Sequence, residues 1–252
     1  MSEVSSLNLP QADRQHFNKN YLASVVVEFK FPTLLEIAEN LPVDLQKSVR
    51  GQFPHYERAH LASLTPHGSD HVVSHEFRTK SKKELVRLTQ NSLSVTTYKY
   101  ESYETFKDLA ESVVEAFVPH LDTNFFTRVG LRYINKINTP NIRSEVSQWI
   151  NQSLVDYISK GVISRIQDLK MEIGGDINES SKFHFRCGLV PKVTGANGQP
   201  SDTVEFLLDY DYYSEDVEVL QVGDLMDKYH DVNFNFFWWS LGHKAKEDLL
   251  NA

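Results

Sequence analysis

Three arginines on alternating, strand-like segments are the residues of this chain best suited to chemistry. Arg128 and Arg132 share one face of the segment from Phe125 to Ile137 with Gly130 and Lys136, and Phe125, Val129, Leu131, Tyr133 and Ile137 share the other, because side chains alternate along a strand. Arg186 stands with Lys182 and His184 opposite Phe183, Phe185, Cys187 and Leu189. A guanidinium grips a phosphate or carboxylate through two parallel hydrogen bonds, so Arg128, Arg132 and Arg186 are the candidate anion-binding set. On Thr203–Tyr213, Glu205, Asp209 and Asp211 oppose Val204, Phe206, Leu208, Tyr210 and Tyr212. Asp209 and Asp211 would lie about 7 Å apart along a strand, and with Glu172 they are the candidate ligands of a divalent cation. The same residues have a plainer use. The basic and acidic faces sit on segments joined by a short loop, and cross-strand ion pairs contribute about 0.2–1 kcal/mol each. Arg132 is accordingly expected to be paired with a carboxylate on a neighbouring element.

The remaining motifs are weaker. His55, His60, His67, His71 and His75 cluster without a cysteine nearby and read as exposed polar residues, not a zinc site. The single cysteine, Cys187, sits in an apolar-alternating pattern and reads as a buried thiol. Arg78–Arg87 is a basic run at a hairpin tip, a place from which phosphate backbones are contacted and also a place that is simply solvated. Gly174-Gly175 lacks the Lys-Ser/Thr of a phosphate loop and reads as a turn. No residue set assembles into a catalytic or cofactor motif, so neither a catalytic residue nor a cofactor is expected.

The elements that must position these groups follow from periodicity. Ser24–Phe31 alternates as a strand, short helices are expected at Leu34–Ala38 and Val43–Phe53, and Pro54–Asp70 reads as loop. A meander follows over His71–Lys80, Glu84–Gln90 and Ser92–Tyr100. Tyr103, Phe106, Leu109, Ala110, Val113 and Phe117 form the stripe of an amphipathic helix. After Thr139-Pro-Asn141 come a helix at Glu145–Ile158, three strands, and a final helix at about Val232–Leu250. Short turns between strands exclude parallel crossovers. The expected class is α+β: two similar halves, each an antiparallel sheet covered by helices, closed by the C-terminal helix. The divisions are a flexible arm (1–20), an N-terminal half (21–139) and a C-terminal half (140–252), the alternative being one continuous domain. On the last helix, Trp238 shares a stripe with Phe234 and Leu241 and is expected to face the sheet. Phe236, Trp239 and His243 make a second stripe, the candidate partner-binding surface.

Composition bounds the function. The 252 residues carry a net charge of −8, with 15 Phe, 11 Tyr and 3 Trp. The acidic balance disfavours nucleic acid as a partner, although a local basic patch remains compatible with it. The aromatic load suits a bulky core or a protein interface. The N-terminal residues lack the apolar run of a secretion signal, no segment has the roughly 18 apolar residues of a membrane helix, and one cysteine fits a reducing compartment. A soluble, cytoplasmic protein without membrane association is expected.

Three passages resemble a sporadically distributed bacterial protein family of about this length that has no assigned function: Val86–Val95 leading into Tyr100–Phe106, Gly130-Leu-Arg-Tyr-Ile-Asn135, and Leu207-Leu-Asp-Tyr-Asp211. The sequence departs from it at Tyr103, where the family more often has Trp, and in its aromatic last helix. The resemblance implies the fold outline, and a setting near mobile elements or phage-defence genes. It implies no chemistry. The functional expectation is a non-enzymatic binding or adaptor protein in a bacterial assembly, with a protein partner or a second copy. The alternative is a nucleic-acid- or nucleotide-directed enzyme or sensor using the charged sheet face.

Overall fold

The computed structural model describes residues 7–15, 17–65, 68–139, 141–160, 168–194 and 199–251. Among them are nine strands: β1 (Leu22–Lys30), β2 (His55–Thr65), β3 (Gly68–Arg78), β4 (Glu84–Thr89), β5 (Ser92–Thr97), β6 (Phe125–Ile137), β7 (Leu169–Asp176), β8 (Ser181–Thr194) and β9 (Gln199–Glu218). Seven helices accompany them: α1 (Leu35–Glu39), α2 (Val43–Val49), α3 (Tyr103–Phe117), α4 (Ile142–Trp149), α5 (Gln152–Ser159), α6 (Val222–Ser240) and α7 (His243–Leu250). The strands form one sheet in the order β2-β3-β4-β5-β1-β6-β9-β8-β7. The strand pairs β1–β5, β2–β3, β3–β4, β4–β5 and β7–β8 are all antiparallel. The class is thus α+β. Among the described residues no helix is long and apolar enough to cross a membrane.

The chain forms two compact units from discontinuous segments. One, the meander unit, comprises Ser24–Arg132 and Tyr212–Lys228. The other, the ridge unit, comprises the described residues up to Ala23, Tyr133–Asp211 and those from Tyr229 onward. Thr139 and Asn141, the expected boundary, both fall within the ridge unit.

Alternation sorts the meander unit's side chains into rows that run across its strands. Val27, Val95, Val86 and Phe77 are register partners in turn, and all are fully buried. The next apolar row, Phe29–Leu93–Leu88, ends on His75, which is equally buried. The opposite parity gives a polar row, Glu28–Ser94–Arg87–Glu76. Helix α3 lies where its stripe predicts, with Tyr103, Phe106, Ala110, Val113 and Phe117 buried. Ser102 caps it, its hydroxyl accepting the Thr105 amide at 3.1 Å, an interaction worth about 1 kcal/mol.

Three expectations are corrected here. The single helix expected at Glu145–Ile158 is two, α4 and α5. Residues 55–65 and 68–70, expected as loop, are strand, and β2 pairs with β3 from His55↔Arg78 to Thr65↔Gly68. The alternation that marks a half-buried strand is missing because β2 is an edge strand whose residues His55–Arg58 are all exposed. The single helix expected at Val232–Leu250 is two, α6 and α7. The break is at Leu241, which bridges to Ile150, and at Gly242. A side chain at 242 would place its Cβ 2.4 Å from the Gln148 carbonyl oxygen, so only glycine allows this approach.

Candidate functional site

In the ridge unit the structure places Arg186 directly across from Glu172, its register partner on β7. Its Nε lies 3.3 Å from Glu172 Oε1 and its Nη1 3.7 Å from Asp209 Oδ2. His184, two residues away on the same face, also contacts Glu172. Asp209 and Glu205 are buried despite their charge, and Lys136 of β6 engages Glu205. Buried carboxylates require such partners, because an unpaired charge in a poorly polarisable interior is costly. Asp211 is half-buried beside them in sequence, and Glu172 is exposed. Among the described residues no three His, Cys, Asp or Glu side chains are grouped as a metal ion would need. Asp209, Asp211 and Glu172 are therefore not gathered into such a set, and two of the three share Arg186 instead.

In the meander unit Arg128 folds back along β6 over Gly130, where a Cβ would lie 2.8 Å from its Nη1. This brings the guanidinium 4.4 Å from the ring centroid of Tyr213 and Nη1 to 3.1 Å from Glu28 Oε2. Arg132 is half-buried on the same strand. On β6 it is Phe126 and not Phe125 that enters the core, its ring 5.2 Å from Phe29. The basic hairpin run behaves similarly: Arg87 places Nε and Nη2 at 3.0 and 2.8 Å from Glu76 Oε1, and Arg78 Nη2 is 2.6 Å from Oε2. Burial alone would raise the Glu76 pKa, but the hydrogen bonds from Arg87 and Arg78 outweigh it and hold the carboxyl below its usual range. Lys80, Lys82 and Lys83 at the tip are exposed.

Among the described residues the histidines take part in no group that could hold a metal ion. His55 and His60 are exposed, and His67 lies outside the described residues. His75, expected at the surface, is buried because it ends an apolar row. Its Nε2 is 3.0 Å from the Ile37 carbonyl, which can only accept, so Nδ1 accepts from the Tyr56 hydroxyl at 3.0 Å.

On α6 it is Phe236, expected on the outer stripe, that meets the sheet. Phe236 is buried against the sheet, 4.8 Å from Phe185 and 5.2 Å from Tyr210 between centroids. Trp239 is half-buried, packs on Phe236 at 5.8 Å, and offers its carbonyl to Asn151 Nδ2. His243 is exposed and opens α7, so it shares no continuous helix with them. The other stripe carries the N-terminal segment. Phe17 lies among Phe234, Phe237 and Trp238, Arg14 engages Asp231 and sits 4.4 Å over Phe234, and Lys19 and Tyr21 engage Asp248. Residues 12–15 and 17–20, expected as part of a loose arm, thus run along α6 and α7.

A groove that sequence reasoning missed lies in the meander unit between α1, α2, β4 and the end of α3. It encloses about 210 Å³. Ile37, Leu45, Leu88 and Phe117 form its walls, and Leu41 and Val43 at its rim are 55% and 49% exposed. Its lining holds two carboxylates, Glu36 and Asp44, and no Lys or Arg. Asp44 is paired with Lys47 at 2.8 Å, which holds its carboxyl below the usual range, and among the described residues no ion pair engages Glu36. The signal was present in the sequence as a surplus: Leu41 and Val43 lie off the stripe of Ile37, Leu45 and Val49 that the core uses. No known family model matches the chain, and no curated protein matches it.

Proposed function

We propose that this chain is a non-enzymatic binding or adaptor protein that engages a protein partner through the α1–α2 groove. The observation that carries this reading is the concentration of exposed apolar side chains around a concave site, with Leu41 and Val43 standing out of an apolar floor. Exposed apolar groups beside a hollow are a common mark of protein–protein contact. The charged sheet faces support the same reading from the other side. Arg78, Arg87, Arg128 and Arg186 each lie against carboxylates of the chain itself, and an anionic ligand would have to displace these before binding. Affinity capture with the full chain and with Leu41→Glu tests the proposal. A partner retained by the first and lost by the second, at equal unfolding temperature, supports it; identical captured sets overturn it.

A further inference from the structure

We infer that the groove takes a peptide segment with one bulky apolar side chain beside a lysine or arginine; this rests on the binding reading above. Size is the first argument. A volume of about 210 Å³ falls short of the roughly 300–1,000 Å³ of small-molecule and cofactor clefts, but suits the insertion of a single side chain of the size of Leu, Met or Phe. The floor is apolar, with Ile37, Leu45 and Phe117 all buried, so the anchor must be apolar too.

Charge is the second argument. Of the groove's lining residues, Glu36 and Asp44 carry negative charge and none carries a fixed positive one. Lys47 neutralises Asp44 from outside the lining, leaving Glu36 as the rim carboxylate without an ion-pair partner among the described residues. Glu39, exposed on the same helix, adds to the field, as does the chain's net charge of −8. A cationic flank on the incoming segment would satisfy Glu36, and an acidic flank would be repelled. Charges of this kind, at the rim and open to water, act mainly on association rate and on the choice of partner.

Selection from a displayed library of random dodecapeptides against the immobilised full chain tests this. The peptides that emerge are then measured by fluorescence polarisation against wild type, Leu41→Glu and Glu36→Lys. The expected result is a bulky apolar residue adjacent to Lys or Arg, binding lost at least tenfold in Leu41→Glu, and binding weakened about fivefold in Glu36→Lys. Both residues are exposed, and equal thermal unfolding of the three proteins checks that the fold is kept. If peptides emerge that require Leu41 but lack basic flanks, or that ignore Glu36→Lys, the ligand chemistry is wrong and the groove remains a binding site. If nothing emerges, or binding is indifferent to Leu41→Glu, the ligand inference and the groove reading both fall.

Discussion

Phe17 stacks on Trp238 with ring centroids 5.8 Å apart and 11° between the ring planes. The pair joins the start of the described chain to its last helices, together with the Arg14 and Lys19 ion pairs. Aromatic pairs contribute about 0.5–1.5 kcal/mol beyond the area they bury. Phe17→Ala should therefore cost about 1–2 kcal/mol, given the half-buried setting. Urea unfolding would measure it, and the emission of Trp238 should shift to the red in the folded variant. An unchanged spectrum with unchanged sensitivity to protease at residues 12–20 would count against this docking.

Glu76 ties Arg87, its neighbour in the polar row, to Arg78 two residues along β3. Replacing it with Gln removes the charge that Arg87 and Arg78 share and should destabilise the protein by about 1–3 kcal/mol at neutral pH. The acid dependence has a defined sign. Because Glu76 has a lowered pKa in the fold, its contribution is complete above the ordinary glutamate pKa and is lost as pH falls through the folded value. The stability gap between wild type and Glu76→Gln should close below about pH 4. A gap that persists into acid would show that the carboxylate's charge is not what stabilises this row.

His75 should act in a higher window. Burial lowers its pKa, and the hydrogen bond to Ile37 only partly compensates. Below about pH 6.5 the unfolded chain binds a proton that the folded chain refuses, so stability should decline from pH 7 towards 5 and be flat above. His75→Gln should cost about 1–3 kcal/mol at pH 7.5 by disturbing the Tyr56 and Ile37 bonds. The difference between the two proteins should narrow on acidification, as read from chemical unfolding at each pH. Parallel curves would mean that His75 does not titrate in this window.

Cys187 is buried on the apolar face of β8, and burial pushes its thiol pKa up to about 12. Only the thiolate reacts with disulfide reagents. The native protein should be inert to such a reagent at pH 8 and react fully once denatured. Rapid native labelling would require β8 to open far more readily than its packing against β7 implies.

Periodicity carried most of the fold where a residue had one wet and one dry side. The stripe of α3, the rows of β4 and β5, and the opposed faces of β8 and β9 were all readable in that way. It failed where both sides were alike. β2 is wet on both faces at His55–Arg58 and so showed no period, and α6 is apolar on two faces because the sheet covers Phe236 while Phe17 covers Trp238. The second cover comes from a segment more than two hundred residues away in sequence, which no local pattern encodes. The same limit hid the bend at Gly242, whose cause is a carbonyl on α4. The opposition of Arg186 and Asp209 was legible from alternation alone, whereas the burial of Asp209 depends on packing that alternation does not report.

The long reach of the arm bears on how the chain is made. Asn18 donates to the Leu250 carbonyl across 232 residues, so the first of these two groups to leave the ribosome waits for the synthesis of the residues between them. At about 5–20 residues per second that wait is roughly 10–50 s. The meander unit has its last residue at Lys228 and is therefore synthesised before the ridge unit, which continues from Tyr229. Nascent chains arrested once Lys228 has cleared the ribosome, with the natural sequence after it replaced by a polar linker, should protect Ser24–Arg132 from protease and leave the arm open to it. In that interval Phe17 lacks its cover on α6, and the rate of elongation sets how long this aromatic surface stays open.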